Sequence, residues 1–254
     1  MKIRFALRLV GMIIIPFLLV LAPMLIGQRY GIIQSEIVPD LQRVPVGSVT
    51  GASFALLAFL LAFTFQIAAN RFEARKKLFL DEVTNIRTTY LRAELLPEPF
   101  LTEIRKLIVE YVNLRIELLS DLSQIGHAMS RSSQILESLW NKTTQLTKTD
   151  LSPAIFSLFA SSLNNVIDNY NHRITWTMEY RIPPMIFWAL FFVTFFCMLV
   201  IGYQFGVSGK GDFWVFILLA LIFATVIFLI LVLDNPRLSR LNQKPLLTLR
   251  NQIK

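Results

Sequence analysis

Four long apolar runs divide the chain, and polar segments separate them. They cover Leu9 to Ile26, Val49 to Ala69, Met185 to Tyr203 and Phe213 to Leu233. A bilayer core of about 30 Å takes about 20 helical residues, which matches the length of these runs. Leu, Ile, Phe and Val each favour insertion by roughly 0.3 to 0.6 kcal/mol, so a run such as the fourth gains several kcal/mol. The pattern therefore predicts four transmembrane helices.

The first run carries Pro16 and Pro23. Membrane helices tolerate proline as a kink, so we expect this helix to be bent or packed against a neighbour. The basic start of the chain before an apolar run is also compatible with a secretory signal peptide. No small-x-small cleavage site follows, and Ala22-Pro23 would obstruct one, so a transmembrane helix is the favoured interpretation.

Between the second and third runs, apolar residues recur every three or four positions, which is typical of amphipathic helices that pack on one another. Pro97-Glu-Pro99 separates the first two of these helices. A third is expected around Ser130 to Gln145, and a fourth begins at Ser152-Pro153, a serine cap before a proline. Asn70 to Leu78 contains no Gly or Pro, so the second transmembrane helix should continue past the bilayer.

Lys and Arg are concentrated on one side of the four runs. The positive-inside tendency then places both termini and residues 70–184 in the cytoplasm. Fourteen basic residues flank the runs on that side, against three in the loops on the other side. The fourteen are Lys2, Arg4, Arg8, Arg71, Arg75, Lys76, Lys77, Arg173, Arg181, Arg237, Arg240, Lys244, Arg250 and Lys254, and the three are Arg29, Arg43 and Lys210.

The predicted fold is an all-α membrane protein in four parts. These parts are an N-terminal transmembrane hairpin (1–69), a cytoplasmic helical domain (70–184), a C-terminal transmembrane hairpin (185–234) and a cytoplasmic tail (235–254). The cytoplasmic domain has nearly balanced charge, so its surface is not expected to be a polybasic lipid-binding one. Because the basic flanks account for the formal charge of +8, we expect no nucleic-acid partner.

Residues that could carry chemistry are few. The chain has one cysteine and two histidines, which disfavours a zinc or iron site, and it has no phosphate-binding loop, dinucleotide fingerprint or nucleophile elbow. Gly206 to Gly211 is interpreted as a turn between transmembrane helices. We therefore expect neither enzymatic activity nor a cofactor.

Ionisable residues are absent from the middle of every apolar run, which argues against a proton-coupled transporter. Passive permeation stays possible. Asp234 directly follows the fourth run, where we expect an interfacial cap or an ion pair with a basic neighbour rather than a role in transport.

The second run and its continuation resemble bestrophin channels. In those channels the second transmembrane helix ends in a Phe, and eight residues later an Arg is followed by an aromatic residue and a Glu-Ala-Arg-like stretch. The chain is still more similar to a bacterial bestrophin-like family. The positions that match the channels are Phe63, Arg71, Phe72, Glu73, Ala74 and Arg75. Those that match the bacterial family are Phe65-Gln-x-Ala-Ala-Asn70-Arg71, Asp81-Glu82, Thr89 to Pro99, Glu110-Tyr111, Leu139-Trp140, Asn165 to Asp168, Arg181-Ile-Pro183 and Asp234-x-Pro236.

The resemblance implies a multi-pass protein of the bacterial inner membrane that forms a homopentameric channel for small inorganic ions. Five copies of the second helix would surround the pathway, with an apolar neck formed by Phe63, Phe59 and Ala55. Residues four apart share a helix face, and an apolar ring can gate by dewetting. The alternative is that Phe59 and Phe63 simply pack against another helix or lipid.

The sequence also departs from the bestrophin pattern. Thr64 stands where many bacterial bestrophins have an Arg beside the neck Phe, and no acidic cluster resembles the calcium clasp of the animal channels. Calcium gating is therefore not expected, and an apolar neck does not decide between anions and cations.

The second functional hypothesis is a non-conducting membrane-anchored sensor or scaffold whose cytoplasmic helices dock a partner.

Overall fold

The computed structural model describes most of the chain. Several positions used above lie outside the described residues, namely Arg43, Arg181, Lys210, Gly211, Pro236, Arg237, Arg240 and Lys254. Backbone but no side chains are described for residues 2–9, 46, 119–120, 125 and 176–178. The described residues are 2–37, 46–120, 125–178, 182–209, 212–235, 238–239 and 241–253.

The described part of the chain is helical and contains no β-strand, as the sequence predicts. Four helices, those that contain the four apolar runs, are long and apolar enough to cross a membrane. The helices in chain order are α1 (Lys2–Ile37), α2 (Val46–Arg92), a 3₁₀ turn (Ala93–Leu95), α3 (Phe100–Ser120), α4 (Ile125–Leu146), α5 (Pro153–Met178), α6 (Pro184–Ser208), α7 (Phe213–Asp234) and α8 (Lys244–Gln252).

Prolines set several helix boundaries at the predicted places. The helical segment before Pro97 ends at Leu95, and α3 begins at Phe100, directly after Pro99. α5 begins at Pro153, where proline's fixed φ and missing N–H suit the first helical position. α2 is a single helix that continues well past the apolar run, which confirms the prediction from its helix-forming residues.

The chain divides into two compact units. Unit 1 comprises Met1–Glu73 and Arg181–Arg240, and it contains the four apolar helical segments. Unit 2 comprises Ala74–Tyr180 and Leu241–Lys254. Each unit has its own cluster of buried apolar side chains.

In unit 1, α1 packs on α6 and α7. The helix passes through Pro16 and Pro23, and both prolines are buried, so the expectation that this helix packs against a neighbour is confirmed. It also continues beyond Ile26, where the apolar run ends. There the ring of Tyr30 packs at a tilt of 35° against that of Tyr203 on α6, with centroids 5.8 Å apart, and this contact supports the additional turns.

Glycines bring α1 and α6 into backbone contact. A Cβ atom at Gly27 would overlap with the carbonyl oxygen of Leu199, and one at Gly202 with that of Met24. Small residues four apart let two membrane helices approach closely. The contacts rise together in residue number, so the two helices run parallel. The four glycines are Gly27 and Gly31 on α1 and Gly202 and Gly206 on α6.

The connection between α6 and α7 begins with a left-handed cap. Gly209 has a φ of 65° and ends α6, a conformation that glycine adopts without a Cβ clash. Asp212 caps α7, because its carboxylate accepts a hydrogen bond of 3.1 Å from the backbone N–H of Trp214. The turn predicted for Gly206 to Gly211 was placed too early, because Gly206 to Ser208 belong to α6 and the helix ends only at the Gly209 cap.

In unit 2, the part of α2 after Glu73 packs with α3, α4, α5 and α8 around one apolar core. α8 was not predicted, because residues 235–254 were expected to form a tail. Its apolar residues Leu246 and Leu249 are buried, and the helix packs on α3. The fully buried side chains of this core include Ile86, Ile104, Tyr111, Leu139 and Leu163.

Candidate functional site

The predicted neck residues lie together on one exposed face of α2. Ala55, Phe59 and Phe63 are all exposed, with Phe59 at 66% and Phe63 at 54% of full residue accessibility. The two phenyl rings stack with centroids 6.3 Å apart. Within the described part of the chain, neither ring is buried against another helix.

The opposite face of α2 holds the helix in unit 1. Leu57, Leu61 and Ala68 are buried there among the apolar side chains of the unit. Thr64 belongs to this buried face, and its hydroxyl donates a hydrogen bond of 2.7 Å to the carbonyl oxygen of Leu60. Thr64 therefore lies away from the phenylalanine face, and its Oγ1 is satisfied within the helix.

The exposed face of α2 becomes polar after Phe63. Gln66 and Asn70 are both exposed, and Gln66 Nε2 donates a hydrogen bond of 2.7 Å to Asn70 Oδ1. Residues four apart on a helix are neighbours, so this bond fixes the two amides beside each other.

The motif residue Arg71 forms the ion pair expected for Asp234. Arg71 Nε lies 3.4 Å from Asp234 Oδ1, and both side chains are mostly buried. The same carboxylate oxygen accepts a long hydrogen bond of 3.4 Å from the backbone N–H of Ile182. The prediction of an ion pair at the end of the fourth run is confirmed, and Asp234 ties the end of α7 to α2.

The other motif residues on α2 have different surroundings. Phe72 and Arg75 are half-buried, and each contacts another group in the protein. Glu73 is exposed. Glu82 is 1% exposed and belongs to unit 2, whereas Asn70 and Arg71 belong to unit 1.

Glu82 is the centre of a buried charged network that joins α2, α3 and α5. Arg115 holds the carboxylate with two hydrogen bonds, of 2.9 Å to Oε1 and 3.1 Å to Oε2. The Tyr111 hydroxyl donates a third hydrogen bond of 3.1 Å to Oε1. Arg173 Nε lies 3.6 Å from the same oxygen. Two-point binding of a carboxylate by arginine is among the stronger polar contacts in proteins.

The electrostatics of this network keep Glu82 ionised. Burial alone would raise the pKa of Glu82, but the charges of Arg115 and Arg173, with hydrogen bonds from Arg115 and Tyr111, hold it below its ordinary value. Burial and the neighbouring Glu82 charge raise the pKa of Tyr111, so this phenol stays protonated and donates. The network is therefore a fixed ion cluster at neutral pH.

Glu82 was predicted as part of the family motif, but its partners Arg115 and Arg173 were not predicted. The signal was present in the periodicity of α3, where Arg115 continues the buried positions Ile104, Ile108 and Tyr111. Charged side chains are rarely buried unless they are paired, so an arginine at the next position of an apolar face predicts a buried carboxylate partner. Among the described residues, no group of three or more His, Cys, Asp or Glu side chains could hold a metal ion.

Comparison with solved structures supports the fold. A single-residue variant of a bacterial bestrophin homologue from Klebsiella pneumoniae superposes with a TM-score of 0.68 at 16% identity, covering 93% of this chain and 96% of that one. A second variant gives a TM-score of 0.67 at 18% identity, covering 95% and 96%. A further structure of this homologue gives 0.65 at 17% identity, covering 95% of each chain.

Comparison with curated protein sequences finds no match. The sequence model of the bestrophin-like domain, in contrast, matches residues 30–236. This range includes α2 with its exposed phenylalanines and motif residues, and it extends to the end of α7. The chain therefore belongs to the bestrophin-like family.

Proposed function

We propose that this chain forms a homopentameric, bestrophin-like channel for small inorganic ions in the bacterial inner membrane. The observation that carries the proposal is the exposed face of α2, where Phe59 and Phe63 stack side by side at the surface of the protomer. Membership of the bestrophin-like family and the match to bacterial bestrophin homologues support the same function.

The neck follows from symmetry and exposure. Each chain contributes one α2, so a central pathway lined by this helix needs several copies of the chain. If the face that carries Ala55, Phe59 and Phe63 turned toward the axis, rings of methyl and phenyl groups would lie one above another along the pathway. Such apolar rings control conduction by excluding water until they widen.

Charge on the flanks sets the proposed orientation. The Lys and Arg excess near both termini and in residues 70–184 favours the cytoplasmic side for all three regions. α2 then enters the membrane from outside and leaves it on the cytoplasmic side, before Asn70. In this arrangement the Glu82 network belongs to the cytoplasmic domain.

The first prediction concerns the assembly. The full chain, solubilised in mild detergent or nanodiscs, is expected to give a protein mass five times that of the 29.2 kDa chain. Mass photometry or light scattering corrected for detergent measures this directly. A monomer or dimer would contradict the central pathway, because too few copies of α2 would be present to enclose it.

The second prediction concerns the neck. Replacing Phe59 and Phe63 together with alanine is expected to raise single-channel conductance at least about twofold in planar bilayers, because the widened ring retains water. The matched control is alanine at Phe192 and Phe196, a second exposed aromatic pair four residues apart, on α6. Equal currents in wild type and the α2 variant would disprove the neck assignment.

A further inference from the structure

Two polar side chains, Gln66 and Asn70, continue the phenylalanine face of α2 beyond Phe63. Each helical residue advances by about 100°, so Gln66 lies about 60° and Asn70 about 20° from Phe63 around the axis of α2. Both amides therefore occupy the same exposed face as the two phenyl rings. Any arrangement that turns Phe59 and Phe63 toward a central axis also turns Gln66 and Asn70 toward it.

The two amides are already ordered within each protomer. The 2.7 Å hydrogen bond from Gln66 Nε2 to Asn70 Oδ1 joins them into one unit. An amide has two N–H donors and a carbonyl with two lone pairs, so the pair still offers the Asn70 NH₂ group and the Gln66 carbonyl. It can therefore contact an ion of either sign or the water around it.

The nearest basic side chain is directed elsewhere. Arg71 follows Asn70 in sequence, but its guanidinium pairs with Asp234, and both side chains are mostly buried. Gln66 and Asn70 are thus the first polar side chains after Phe63 on the exposed face, and they are neutral. Glu73 is the next exposed residue along α2.

We propose that five Gln66–Asn70 pairs form a neutral amide ring that binds small inorganic ions at the end of the neck after Phe63. This inference rests on the proposed pentameric channel. An ion entering an apolar constriction loses part of its hydration shell, and polar groups at the entrance replace some of the lost contacts. Because the ring has no net charge, a charge introduced into it will decide which sign of ion is favoured.

The test uses the full-length protein in planar bilayers under a salt gradient, with potassium chloride as the probe. Asn70→Asp is expected to raise the potassium-to-chloride permeability ratio about fivefold or more, since one charge close to an ion changes its energy by roughly 1 kcal/mol even in water. Gln66→Glu provides a second variant with the same expected direction. Asn70→Leu is expected to lower conductance at least about twofold, because it removes an ion contact.

Asn141→Asp is the matched control, because it adds the same charge to an exposed position of α4, a helix that does not carry the phenylalanine face. It should leave the permeability ratio unchanged. The channel proposal stands if the wild type conducts and the phenylalanine variant alters conductance. The amide-ring proposal is then wrong if both Asn70→Asp and Gln66→Glu keep the wild-type permeability ratio. A wild-type protein that assembles but conducts no ions overturns the channel proposal, and the ring with it.

Discussion

Replacing Glu82 with glutamine is expected to lower the free energy of unfolding by about 3–5 kcal/mol, the usual cost of breaking a buried ion pair. Glutamine keeps the shape of the side chain but removes the charge that Arg115 faces. Because arginine does not lose its proton in proteins, the buried guanidinium would remain charged without its counter-ion. Thermal unfolding followed by circular dichroism in detergent measures the loss.

Glu110→Gln is the matched control for this effect. Glu110 also pairs with an arginine, Arg131, but both side chains are well exposed. Exposed ion pairs contribute about 0–1 kcal/mol, so this variant should unfold close to the wild type. Equal destabilisation of the two variants would show that burial of the Glu82 network contributes nothing to stability.

The same network predicts a dependence of stability on pH. The folded-state pKa of Glu82 is lowered, so its stabilising contribution is complete above the unfolded-state pKa of about 4.3 and is lost as pH falls through the lower folded-state value. The wild type should therefore lose stability more steeply on acidification below about pH 4.3 than Glu82→Gln does. Parallel pH profiles for the two proteins would contradict an ionised Glu82.

Replacing Gly202 with alanine is expected to destabilise unit 1 by about 3 kcal/mol, at the upper end of the range for overpacking. The added Cβ would overlap with the carbonyl oxygen of Met24, and backbone atoms cannot rotate away as a side chain can. Alanine's better helix propensity offsets at most about 1 kcal/mol of this cost. The yield of monodisperse protein and its thermal midpoint measure the result.

Gly11→Ala is the matched control, because it lies on α1, where a Cβ would meet no atom within 4 Å. This variant should equal or exceed the wild type in stability through helix propensity alone. A Gly202→Ala protein as stable as Gly11→Ala would show that α1 and α6 do not rely on backbone contact.

Local sequence signals were sufficient for most helices of the fold. The four apolar runs predict membrane helices because length and hydrophobicity alone decide whether a segment can cross a bilayer. Prolines at positions 97, 99 and 153 predict helix boundaries because the proline ring excludes helical geometry on one side. α8 was missed because a short amphipathic segment becomes helical by burying Leu246 and Leu249 on a partner, not by propensity.

Part of the candidate site could be predicted from the sequence. Spacing of four residues is enough to place Ala55, Phe59 and Phe63 on one face, because helix periodicity is fixed. Whether other helices of the same chain cover that face depends on where α6 and α7 pack. The sequence does not show this packing directly. The hydrogen bond between Gln66 and Asn70 was equally accessible from spacing, but its relevance depends on the exposure of the whole face.

The sequence by itself determined the membrane class, the four apolar helices, the helix boundaries at prolines and the family, because each depends on neighbouring residues or a linear motif. Only the tertiary structure decided which distant residues contact each other. Glu82 meets Arg115 and Arg173, Arg71 meets Asp234, and Gly27 meets α6 because folding brings together residues far apart in the chain. Such contacts depend on helix packing and on the cost of burying charge, which no local pattern encodes.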